Sequence, residues 1–174
     1  GGDGNDTMYG GDDDDVIWGG DIDNATTYSR DNDKLYGGDG NDEMYGGDMD
    51  DRLQGDDGDD MMWGNDRRDK LYGNDGNDYL NGGDDRDTLK GNDGDDEMHG
   101  GEGDDYLNGA DGNDDLYGNA GRDKMYGGND DDYMDGGSED DTLSGSRGYD
   151  ELWGGEGRDR LDGGHEDDRL YGEE

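Results

Sequence analysis

Gly1-Gly2-Asp3-Gly4-Asn5-Asp6-Thr7-Met8-Tyr9 opens the chain, and it sets the pattern G-G-x-G-x-D-x-U-x, with U a large apolar residue. Nineteen such units run consecutively and leave over only Gly172, Glu173 and Glu174. The first place is Gly except at Tyr28, the sixth is Asp except at Asn24, and the eighth is Leu, Ile or Met except at Thr26. A period this strict means one small unit stacked many times, which is a solenoid. Places one to six read as turn chemistry, because Gly accepts positive φ freely and Asn and Asp tolerate it next best. Places seven to nine read as a minimal strand whose middle side chain points inward.

Two units make one coil of eighteen residues, so the expected fold is all-β, a right-handed parallel β-roll of about nine and a half coils in a single domain, 1–174. Met8, Met44 and Met62 begin one wall of its core, and Ile17, Leu35 and Leu53 begin the other. The stretch Gly19–Tyr36 is irregular. It is either two degenerate units or one unit with a nine-residue loop, and the retained register favours two units. With the loop, the first two units would change sides relative to the rest.

Composition says what must hold such a chain together. There are 55 Asp and Glu against 14 Lys and Arg, a net charge of −41, and only 23% of residues are apolar. By composition alone the chain would be disordered. Carboxylates at a fixed period make a hard, oxygen-ligated cation the obvious missing component. There is no Cys, so disulfides and thiolate metal sites are excluded. Absent thiols fit an extracellular calcium-stabilised protein. No apolar run approaches the ~20 residues of a transmembrane helix, and the first residues do not read as a signal peptide. So negative a chain is a poor partner for nucleic acid or an anionic membrane.

Across its whole length the sequence resembles the RTX (repeats-in-toxin) calcium-binding family, on the nonapeptide quoted above. The resemblance implies Ca²⁺ held between the turns of units i and i+2, by two sixth-place Asp side chains and several turn carbonyls. Carried over, one row of ligands is Asp15, Asp33, Asp51, Asp69, Asp87, Asp105, Asp123, Asp141 and Asp159. The other row is Asp6, Asp42, Asp60, Asp78, Asp96, Asp114, Asp132, Asp150 and Asp168. Nineteen units offer at most seventeen such intervals, and seventeen divalent ions would bring −41 to −7. The family also implies secretion, with the chain unfolded in low cytosolic calcium and folded outside the cell.

Departures mark the weaker turns. The fourth place is Ile22, Met49, Arg67, Glu139 and Glu166 where Gly is expected, and a bulky residue at positive φ is strained. These turns are therefore expected to be remodelled or to bind poorly, and neutral Asn24 weakens its own site. Twelve of the fourteen basic residues lie in even-numbered units, leaving one edge of mixed charge and the other acidic. These cations either relieve local repulsion or dock that edge on an acidic edge of another copy. Ninth-place aromatics such as Tyr9, Trp18, Tyr36, Tyr45, Trp63 and Trp153 form a cross-strand ladder, or else contact carbohydrate, a cell surface or another roll.

No nucleophile, base and orienting group converge in the pattern, and His99 and His165 have no zinc spacing, so no enzyme is expected. Three functional readings remain. The first is a folding module of a secreted adhesin, toxin or enzyme. The second is a self-assembling extracellular filament or surface layer stacked end to end through calcium. The third is an acidic protein that binds calcium mineral.

Overall fold

A computed structural model describes residues 1, 4–20 and 31–172. The first strands are β1 (Thr7–Asp12), β2 (Val16–Trp18), β3 (Lys34–Asp39), β4 (Glu43–Asp48), β5 (Arg52–Asp57) and β6 (Met61–Asp66). The middle strands are β7 (Lys70–Asp75), β8 (Tyr79–Asp84), β9 (Thr88–Asp93), β10 (Glu97–Glu102), β11 (Tyr106–Asp111) and β12 (Asp115–Ala120). The last are β13 (Lys124–Asn129), β14 (Tyr133–Ser138), β15 (Thr142–Arg147), β16 (Glu151–Glu156), β17 (Arg160–His165) and β18 (Arg169–Tyr171). Odd strands form one nine-stranded sheet and even strands the other, with every pairing parallel. From β3 onward each pairing is offset by eighteen residues, as in Leu35↔Leu53 and Met44↔Met62. This is the all-β parallel solenoid that the period requires. Among the described residues there is no helix, and so none long and apolar enough to cross a membrane.

The eighth-place side chains from Leu35 to Leu152 are fully buried and meet between the two sheets as the core. Four particulars differ from expectation. First, the complete strands have six residues, because the first three places of the following unit continue them. Period-two burial runs through both parts, so the first-place Gly also faces inward. Second, Met8 pairs with Leu35 and Ile17 with Met44, an offset of 27. The first two units have therefore changed sides, as the one-unit-plus-loop alternative demands. The favoured two-unit reading of 19–36, with its wall assignment for Met8 and Ile17, is corrected; residues 21–30 lie outside the described residues. Third, the described chain comprises nine coils instead of nine and a half. Its two walls are Met8, Leu35 to Leu161 and Ile17, Met44 to Leu170.

Fourth, the fourth-place substitutions do not remodel their turns. From Gly38 on, every second and fourth place has positive φ whatever residue stands there, including Met49 (88°), Arg67 (83°), Glu139 (77°) and Glu166 (75°). The stacked coil imposes one backbone course, and the local preference of a single residue yields to it. Two of these side chains also find a role. Gly121 N–H donates to Glu139 Oε2 at 2.9 Å, and Gly148 N–H donates to Glu166 Oε2 at 3.2 Å. Ile22 and Asn24 lie outside the described residues.

Candidate metal centre

Each turn ends on its sixth-place Asp, and these residues stack in two straight columns along the edges of the roll. The backbone N–H of each donates to Oδ1 of the Asp one coil further on, as Asp42 to Asp60 and Asp60 to Asp78, both at 2.8 Å. The other column does the same, as Asp33 to Asp51 and Asp51 to Asp69, both at 2.7 Å. At the start, Asp6 donates to Asp33 and Asp15 to Asp42. Asp6 therefore heads the column of Asp33, and Asp15 that of Asp42, the reverse of the sequence expectation. The columns run on unbroken to Asp141→Asp159 and Asp150→Asp168. Two columns of nine leave sixteen intervals, one fewer than the seventeen expected.

The second carboxylate oxygen is the informative atom. From Asp42 to Asp159, Oδ2 of every sixth-place Asp is buried and has no hydrogen-bond partner. From Asp33 to Asp150 these residues are at most 3% exposed. A buried carboxylate oxygen left unpaired is costly, and fourteen in register cannot be an accident of packing.

The first-place Gly explains where Oδ2 points. A Cβ on Gly46 would lie 2.7 Å from Asp51 Oδ2 and 2.8 Å from the carbonyl oxygen of Gly64. The same two kinds of oxygen crowd the Cβ position at Gly64, Gly82 and Gly118. Gly is required here because the space beside its Cα belongs to carboxylate and carbonyl oxygens; its φ is not positive. The sequence reading, which ascribed these glycines to turn conformation, missed this steric role. The near-constancy of Gly at the first place, broken only at Tyr28, against the freely varied second place, was the signal that could have found it.

Burial is also the main force on the acidity of these groups. Desolvation pushes Asp69 up to about 9, and Asp87, Asp96 and Asp132 up to about 8. Asp51, Asp60, Asp105, Asp114 and Asp141 rise to about 7, and Asp78, Asp123 and Asp150 to about 6, again by desolvation first. The N–H donated from the coil before opposes the rise in each. For most of them, among them Asp69 and Asp96, repulsion from the stacked neighbours adds to it. Burial thus penalises the charged form throughout these columns, and a cation beside the carboxylates would offset that penalty. Among the described residues no three acidic or His side chains converge on one point. A site here must therefore combine Asp carboxylates with backbone carbonyls.

The surface ladders also take shape. On the even sheet Trp18, Tyr45 and Trp63 stack at 4.0 and 4.7 Å, and His99 stacks on Tyr117 at 4.7 Å. Seventh-place Tyr79 joins the two groups, so His99 is one rung of an aromatic column. Its ring faces are turned on each other.

The profile of the RTX calcium-binding nonapeptide repeat (four copies) matches residues 1–21, 29–53, 45–80, 54–89, 72–107, 81–116, 108–143 and 135–170. The chain belongs to the RTX repeat family. Calcium binding follows for this chain from that membership. No curated protein matches the chain.

Proposed function

We propose that this RTX chain is a calcium-folded structural module of a secreted protein, non-catalytic, with Ca²⁺ held in the intervals between successive sixth-place Asp residues. The observation that carries this reading is the column of buried, unpartnered Oδ2 atoms facing turn carbonyls across glycines that admit no Cβ. The donor set is oxygen only, as calcium prefers. The proposed ligands are Asp33, Asp51, Asp69, Asp87, Asp105, Asp123, Asp141 and Asp159 in one column, headed by Asp6. In the other they are Asp42, Asp60, Asp78, Asp96, Asp114, Asp132, Asp150 and Asp168, headed by Asp15.

Calcium supplies charge neutralisation and a cross-link between coils. Sixteen occupied intervals would bring −41 to −9. Without that neutralisation, the apolar material of one side chain per strand is too little to hold such a charge together. Calcium would thus couple folding to the extracellular environment, where millimolar sites are occupied. Circular dichroism tests the reading. Above neutral pH, the chain in excess chelator should be disordered and should become β-rich cooperatively with calcium but not with magnesium. A β spectrum unaffected by chelator would refute it.

A further inference from the structure

The two edges of the roll are built alike and charged differently: one is mixed, with its cations in the groove, and the other is acidic. Call the edge whose turns lead into odd strands the first, and the other the second. At each, a groove runs along the axis between the fifth-place and seventh-place side chains, with sixth-place Asp residues on its floor. In the first groove the seventh-place row contains Lys34, Arg52, Lys70, Lys124 and Arg160 and no acid. Its fifth-place row is nearly self-neutralising: Arg68 bridges Asp50 at 2.7 Å and Arg122 bridges Asp104 at 2.6 Å. Among the described residues no carboxylate pairs with Lys34, Lys70, Lys124 or Arg160, and all four are exposed.

The second groove reverses this. Its seventh-place row holds Glu43, Glu97, Asp115 and Glu151, and its one cation, Arg169, is bridged to Glu151 at 3.3 Å. Its fifth-place row alternates Asn41, Asp59, Asn77, Asp95, Asn113 and Asp131. Each of these side-chain oxygens accepts the backbone N–H of the next rung. The asparagines keep the carboxylates two coils apart, which lowers repulsion along the row. No cation stands in that row to answer them.

We infer that the first edge of one roll docks along the second edge of another copy of this chain. The two rows share one repeat, a rung per coil, so the edges can run side by side with cations and carboxylates meeting at intervals, broken at uncharged rungs such as Thr88, Tyr106, Met61 and Tyr79. A second copy is a partner whose charges carry that period. The inference rests on the calcium reading, because uncompensated Asp33, Asp51 and Asp69 on the floor would make the first groove negative. The contact is heterologous, so each added copy leaves one edge of each kind free and the array extends sideways as a sheet one roll thick. Exposed ion pairs are individually weak and screened by salt. The association should therefore be reversible and lost at about 1 M salt, where the screening length falls to ~3 Å.

Sedimentation of the whole chain in millimolar calcium tests this, with circular dichroism on the same samples. One variant reverses the first edge (Lys34→Glu, Lys70→Glu, Lys124→Glu, Arg160→Glu). Another reverses the second (Glu43→Lys, Glu97→Lys, Asp115→Lys). The unaltered chain should associate at about 0.1 M salt and dissociate at high salt. Each variant alone should be monomeric, and an equimolar mixture of the two should associate again. A β-rich chain that stays monomeric overturns the docking and leaves the calcium reading standing. A chain that remains disordered in calcium overturns both. Association indifferent to the edge reversals, or binding of an anionic polysaccharide by a chain that stays monomeric, rules out the second-copy contact.

Discussion

Asp15 and Asp96 occupy the same place in the same nonapeptide, yet the structure treats them differently. Asp96 is 2% exposed and sits between coils on both sides, accepting from Asp78 N–H and donating to Asp114. Asp15 in the first coil is half-buried and, among the described residues, has a sixth-place neighbour on one side only, Asp42. The strand after it, β2, has three residues where the strands of the body have six. Of the first coil's eighth places, Met8 is half-buried and Ile17 is 7% exposed, whereas those from Leu35 to Leu152 are fully buried. The motif supplies the ligand, and the neighbouring coil supplies the burial that makes it a site. In a solenoid, stability is a sum of unit and interface terms, and the interface term carries the difference here.

The largest test of that contrast is Asp96→Ala against Asp15→Ala. The first removes a carboxylate from two proposed intervals and leaves the buried Asp78 N–H without its acceptor. Orphaning one buried group costs about 1–3 kcal/mol. With the loss of calcium ligation added, the melting temperature in calcium should fall by roughly 5–10 °C, and the calcium midpoint should rise several-fold. Asp15→Ala touches one interval, in the coil with the fewest contacts, and should lower melting by less than half as much. Equal losses at the two positions would show that burial between coils does not set site strength.

Next comes Gly91→Ala. A Cβ there would overlap Asp96 Oδ2, whereas at Gly11, a second-place glycine of the first coil, it would meet nothing within 4 Å. Gly91→Ala should therefore act on the calcium midpoint nearly as strongly as loss of Asp96 itself. Gly11→Ala should cost only the strain of its positive φ, about 1 kcal/mol. Calcium titration followed by circular dichroism separates them. A benign Gly91→Ala would mean that the space beside the first-place Gly is not needed for ligation.

How much of this was legible follows from the same distinction. The period, the inward eighth place and the sixth-place Asp are properties of a unit, and they could be read residue by residue. The six-residue strand was hidden, because its second inward position is Gly and shows no apolar alternation. The sides taken by Met8 and Ile17 were hidden too. They depend on whether 19–36 contributes one strand or two, and degenerate residues such as Asn24 and Thr26 carry no period from which to decide it. The backbone course at Met49 and Arg67 is dictated by neighbouring coils, which a local propensity argument does not see.

Proton binding sharpens the contrast at a smaller scale. Interior sixth-place carboxylates are raised to between about 6 and 9, as at Asp78 and Asp69, while the unfolded chain titrates near 4. Between those values the folded, metal-free chain binds more protons than the unfolded one, so its stability falls as pH rises. In chelator, β structure should therefore be favoured near pH 5 and lost as pH climbs through about 6 to 9. With calcium the sign reverses, because protons compete with the ion for the same carboxylates. The calcium midpoint should then rise as pH is lowered. Circular dichroism across pH, with and without calcium, checks both slopes; a metal-free chain that gains β structure on going from pH 5 to pH 8 would contradict the burial assigned to these groups.

The smallest effect concerns the left-handed fourth place, where what a neighbouring coil supplies again decides the outcome. Met49 has a φ of 88°, and among the described residues its side chain enters no hydrogen bond, so Met49→Gly removes strain and loses little. Glu139 has a similar φ of 77°, but its carboxylate accepts from Gly121 N–H of the coil before at 2.9 Å and from Ser138 Oγ at 2.9 Å. A left-handed non-glycine residue costs about 1–2 kcal/mol, and the extra freedom of glycine in the unfolded chain returns about 0.5–1 kcal/mol of that. Met49→Gly should thus raise the melting temperature in calcium by about 1–3 °C. Glu139→Gly gains the same relief but leaves Gly121 N–H without that acceptor, which is worth about 1 kcal/mol, so its melting should stay level or fall slightly. If both substitutions stabilise equally, the inter-coil bond of Glu139 contributes nothing and the fourth place is governed by backbone conformation alone.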